Sequence, residues 1–83
     1  MTNEQINAAI AKVLKYKQWY PNFATDLNAM HEAEKVLDSD ELFRGYYLAL
    51  YDITKSTRWP INATARQRAE AFLRTLGKWE DGE

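Results

Sequence analysis

Apolar residues recur along this chain at three- and four-residue spacing in four separate stretches, which predicts an all-α, compact four-helix domain. The first helix is expected from about 3 to 16. Thr2 followed by Gln5 forms a capping-box pattern, Glu4 lies in the first turn, and Ile6, Ala9, Ile10, Val13 and Leu14 make one apolar face. Lys17 would return to that face, so the helix should end near Tyr16, before the connection Gln18-Trp19-Tyr20-Pro21-Asn22. A second helix is expected over about 23–37, capped by Asn22 or Thr25, with Phe23, Leu27, Met30 and Leu37 on one side. A third is expected over about 40–54, capped by Asp38 or Ser39, with Leu42, Phe43, Tyr46, Ala49, Leu50 and Ile53 on its broad face. The run from Tyr46 to Tyr51 also suits a buried strand, so the alternative is an α+β fold with residues 42–58 as strands. Helix is preferred because the apolar spacing persists for more than three turns and no hairpin turn follows. Pro60 breaks any continuation.

The last helix carries the most complete signal. Thr64 caps it and Gln67 reciprocates. Ala65, Ala69, Phe72, Leu73 and Leu76 share one face, and Gly77 supplies the left-handed residue that ends a helix. Trp79 should fold back against the body, while Glu80 to Glu83 should fray.

Glu34 falls within the apolar face of the second helix. A buried carboxylate without a partner is costly, and Arg68, flanking the apolar face of the last helix beside Phe72, is the best-placed cation. Glu34 and Arg68 are therefore expected to form a structural ion pair. Arg66, Glu70 and Arg74, four apart, form a ladder on the outer side, leaving Arg66 and Arg74 for a partner.

Composition narrows the function classes. The chain has 83 residues, no cysteine, one histidine and a formal net charge of −1. That length is one domain, with a thin core that buries about 60–65% of the unfolded surface. Disulfides and thiolate metal sites are excluded, and a reducing cytosol fits easily. No run approaches the roughly 18–20 apolar residues of a membrane span, and the N-terminus lacks a signal-peptide pattern. His31 precedes Glu34 by one turn, but a zinc-protease helix needs a second histidine, and His31 is the only one in the chain. No metal site, cofactor or catalytic residue is expected, and the chain is read as a non-enzyme.

Charge is segregated. Residues 26–41 hold six carboxylates against Lys35, a net of −5, and residues 55–74 hold five basic residues against Glu70, a net of +4. The two segments either pack together, within a chain or across a dimer, or present an acidic surface beside a basic one. The near-zero total argues against both a generic DNA binder and an acidic DNA mimic.

Two sets of candidate site residues follow. Leu48 and Tyr51 point away from the core face of the third helix, with Tyr47 at its margin. With Trp59 they form a candidate partner-binding surface, which invites a homodimer or another protein. Trp19, Tyr20, Trp59 and Trp79 lie in connections or at ends, where they either lid the core or anchor a partner. Arg58, Arg66, Arg68 and Arg74 form the alternative, an anion site for nucleic acid or a signalling nucleotide near the start of the last helix.

The segments from Asp26 to Lys35 (DLNAMHEAEK), Ala63 to Gly77 (ATARQRAEAFLRTLG) and Met1 to Ile10 (MTNEQINAAI) resemble a family of small phage and prophage proteins of unknown function, some described as a phage α-β-α sandwich domain. The quoted segments cover a little under half the chain. The resemblance implies a viral or prophage origin, a host-cell cytoplasmic setting and an accessory role, such as inhibiting a host process like antiviral defence. It implies no catalytic residues.

Overall fold

A computed structural model describes residues 2–55 and 63–79. It has four helices in the order α1 (Asn3–Val13), α2 (Leu27–Glu34), α3 (Asp40–Thr54) and α4 (Ala65–Thr75). The described residues contain no strand. Residues 42–54 are helical, so the α+β alternative fails there, and the sandwich implied by the resemblance is not what these residues form. Positions 56–58 lie outside the described residues.

Local chemistry sets where the helices begin. Thr2 caps α1 and Thr64 caps α4, each in a complete capping box with Gln5 and Gln67 respectively. The Ser39 hydroxyl accepts from the Leu42 N–H at 3.1 Å and starts α3. The expected start of α2 needs correction. Its cap is Asp26, whose Oδ1 accepts from the Asn28 and Ala29 N–H groups at 3.0 and 3.3 Å. Residues Asn22 to Asp26 form a separate turn instead, with the Thr25 and Asp26 N–H groups donating to the Asn22 carbonyl. A short side-chain carboxylate competes for the first free N–H groups of a helix, so α2 starts at Leu27 and spans eight residues. Leu27, expected on the core face, is consequently half-exposed.

The C-termini of α1 and α4 share one geometry. At α4, Gly77 (φ 72°) donates to the Arg74 carbonyl and Lys78 to the Leu73 carbonyl. At α1, Lys15 (φ 64°) donates to Lys12 and Tyr16 to Ala11. Both are Schellman motifs. The second places a lysine where glycine is favoured, and with it α1 ends at Val13 rather than near Tyr16.

Helix α4 is the hub. It packs against α1, α2 and, most extensively, α3. Small residues permit this: Ala65, Ala69 and Ala71 are buried beside Phe72 and Leu73. Ile6 and Ile10 of α1, Met30 and Ala33 of α2, and Tyr46 and Leu50 of α3 complete the core with Phe23 and Leu37. Phe43, expected on the core face of α3, sits at its margin, 40% exposed, against Tyr46 and Tyr47. No helix among the described residues is long and apolar enough to cross a membrane.

Lys15→Gly should raise stability by about 0.5–1 kcal/mol, because it relieves a left-handed lysine. Gly77→Ala should lower it by about 1 kcal/mol for the converse reason. Thermal denaturation of the two variants checks both signs, and equal shifts in one direction would contradict the assignment.

Candidate functional site

Two features stand out: a buried polar cluster and the outward stripe of α3. The cluster centres on Glu34, the last residue of α2. Its Oε2 accepts from Arg68 Nη1 at 3.1 Å and also from the Tyr46 hydroxyl in a short hydrogen bond. Arg68 Nε further donates to the Ala63 carbonyl at 3.2 Å. The carboxylate thus joins α2, α3 and α4, and Arg68 ties in the segment leading into α4. The expected pairing of Glu34 with Arg68 is present, with side chains 16% and 10% exposed. It also links the acidic segment 26–41 to the basic segment 55–74.

Tyr46 was read from the sequence only as an apolar core position, and its hydroxyl role was not visible there. Burial pushes its phenol far above its ordinary value of 10.0. The hydrogen bond and negative charge of Glu34 add to this, and Arg68 opposes it. A group whose pKa is raised on folding favours the protonated form in the native state. Its contribution to stability is therefore complete below the unfolded tyrosine value of about 10 and is lost as pH rises above it.

A second buried polar residue also escaped the sequence reading. Asn7 of α1 is 8% exposed; its Oδ1 accepts from the Ala24 N–H and its Nδ2 donates to Asn22 Oδ1, each at 2.8 Å. It ties the 22–26 turn to α1. Asn7 lies one turn before Ile10 and two before Leu14, at the edge of the apolar face, which was the available signal. Every buried side-chain nitrogen or oxygen among the described residues has a partner.

The arginines expected to be available for a partner are engaged within the chain. Arg66 donates through Nη1 to Asn3 Oδ1, joining α4 to the start of α1. Arg74 pairs with Glu70 at 2.7 Å, and its guanidinium lies 5.7 Å from the Trp79 ring centroid. Arg68 is buried. Arg58 lies outside the described residues. An anion site built on these arginines would first have to break contacts that hold α4. His31 is exposed, and among the described residues no group of three or more histidine or carboxylate side chains is placed to hold a metal ion.

The outward face of α3 holds Tyr47, Leu48 and Tyr51 at 47%, 63% and 40% exposure, with Phe43 at its edge. Phe43 and Tyr47 pack ring to ring at 5.4 Å. Arg44 lies among them on the helix and was not singled out from the sequence. Trp59 lies outside the described residues. Of the aromatics expected either as lids or as anchors, Trp79 packs against the core, whereas Trp19 is 76% exposed and Tyr20 is also exposed. A separate open depression of about 410 Å³, lined by Ala9, Lys12, Val13 and Lys78, lies between α1 and the end of the α4 segment.

The chain matches no protein-family model, no curated protein and no solved structure.

Glu34→Ala should cost about 3 kcal/mol or more, since it strands a buried guanidinium. Tyr46→Phe should cost about 1.5–3 kcal/mol, the usual contribution of a hydrogen bond to a charged group. Denaturant titration measures both; an unchanged midpoint for Glu34→Ala would contradict the buried pair. In alkaline titration followed by phenolate absorbance, one phenol should ionise only as the fold opens, and Tyr46→Phe should remove that last step.

Proposed function

We propose that this chain is a small protein-binding accessory protein that docks through the outward face of α3. The observation that carries the reading is a contiguous aromatic and aliphatic stripe, Tyr47, Leu48 and Tyr51 with Phe43 at its edge, left uncovered on a helix whose opposite face is fixed in the core. A domain this small gains nothing in stability from four large apolar side chains held at the surface. Tyrosine and arginine supply large, semi-rigid contact area, as interface anchors do. The segments quoted above that resemble phage and prophage proteins extend this to a viral or prophage accessory factor acting in a host cell, with inhibition of a host process such as antiviral defence as the form such a role would take. On this reading the protein is a binder, not an enzyme.

The second reading, capture of a nucleic acid or a signalling nucleotide by the arginines of α4, is less well supported, because Arg66, Arg68 and Arg74 already hold intramolecular partners.

Wild type immobilised from its N-terminus should capture a protein from bacterial lysate that a Leu48→Glu/Tyr51→Ser variant of unchanged melting temperature does not. Capture that persists in the variant would count against the α3 surface. A thermal shift with an oligonucleotide or nucleotide, weakening steeply with salt, would favour the anion reading instead.

A further inference from the structure

The stripe on α3 has an order that the docking reading does not use. Asp40, Arg44, Tyr47 and Tyr51 recur at three- and four-residue spacing with Leu48 beside Tyr47, so these five share the outward side of α3, and Lys55 follows as its left-handed C-terminal cap (φ 55°). All six are exposed. None of the three charged residues is in an ion pair among the described residues: those pairs are Lys35–Glu32, Arg68–Glu34 and Arg74–Glu70.

The order is self-complementary on reversal. Laid antiparallel on itself about a point between Tyr47 and Leu48, the helix brings Asp40 opposite Lys55, Arg44 opposite Tyr51, and Tyr47 opposite Leu48. The outermost pair is oppositely charged, the next sets a guanidinium over a phenol ring, and the central pair is apolar. A two-fold axis repeats each pair, as closed dimers require. In a parallel arrangement Asp40 meets Asp40 and Lys55 meets Lys55, which is repulsive at both ends.

We infer that a second copy of this chain occupies the α3 face, in an antiparallel pairing about a two-fold axis between Tyr47 and Leu48. This rests on the proposed docking role of the stripe and names its occupant. The apolar centre supplies affinity, and the terminal charges select direction, because exposed ion pairs act more on orientation than on strength. The aromatic rings of Phe43 and Tyr47, already in contact, present a preformed edge to the partner.

Light scattering across a concentration series, with circular dichroism to confirm folding, tests the pairing in the full chain. Wild type should be a dimer. Asp40→Lys and Lys55→Asp should each weaken dimerisation, by about tenfold, since each turns two symmetric attractions into repulsions. The double reversal Asp40→Lys/Lys55→Asp should restore it to near the wild-type level. Leu48→Glu, in the middle of the helix and away from its caps, should give a monomer even where an end variant folds poorly. A wild-type dimer indifferent to the single reversals, or a double reversal no stronger than the singles, would overturn the antiparallel pairing. A strict monomer at high concentration that still captures another protein through Leu48 would overturn the inference and leave the docking role standing. A monomer that captures nothing would remove both.

Discussion

The arrangement of this domain depends on one carboxylate placed where an apolar residue is expected. Glu34 ends α2, reaches Arg68 on α4 and receives the Tyr46 hydroxyl from α3. Helix α2 has eight residues, too few to persist alone in water, where isolated helices shorter than about 12–15 residues are marginal. Its position is therefore set from outside, by Met30 and Ala33 in the core and by the pull of Arg68 on its last residue. A half-satisfied network at this depth would be worse than an apolar core, and this one is fully satisfied: Arg68 also holds the Ala63 carbonyl. Alternative packings of three small helices on α4 would leave at least one member of the cluster without its partner. Specificity of arrangement is what such a cluster contributes best.

The same cluster connects the core to the surface. Tyr46 fixes the rotation of α3 about its own axis, and Leu50, one turn further on, repeats the constraint. With the inner side pinned, Tyr47, Leu48 and Tyr51 must face outward. A helix held only by greasy contacts could roll to bury part of that stripe; one held by a hydroxyl on a buried carboxylate cannot roll without breaking the bond. The exposed face is thus a consequence of the buried one.

How much of this could be read from the sequence depended on how local its cause was. Capping boxes at Thr2 and Thr64 and the left-handed Gly77 are written within four residues, and all three stand. The Glu34–Arg68 pair was legible at a separation of 34 residues because a carboxylate on an apolar face demands a cation, and few were well placed. The failures have equally physical causes. Three polar residues, Asn22, Thr25 and Asp26, competed to start α2, and propensity does not rank them when Asn22 is drawn to Asn7. Lysine at a left-handed position carries no signature, so the end of α1 was placed too late. Tyr46 looked like an ordinary member of an apolar face, Asn7 drew no notice, and only tertiary neighbours reveal their hydrogen bonds. The arginines of α4 were sorted correctly into buried and outer sets, but the partners of Arg66 and Arg74 depend on where Asn3 and Trp79 come to rest.

The coupling energy between Glu34 and Arg68 is the most direct measure of whether this carboxylate organises the domain. In a double-mutant cycle with Glu34→Gln and Arg68→Met, read by denaturant unfolding, the two side chains should show a favourable coupling of about 0.5–3 kcal/mol, the range for contacting members of one network. A coupling indistinguishable from zero, with the two single losses simply adding, would contradict the central role given to Glu34.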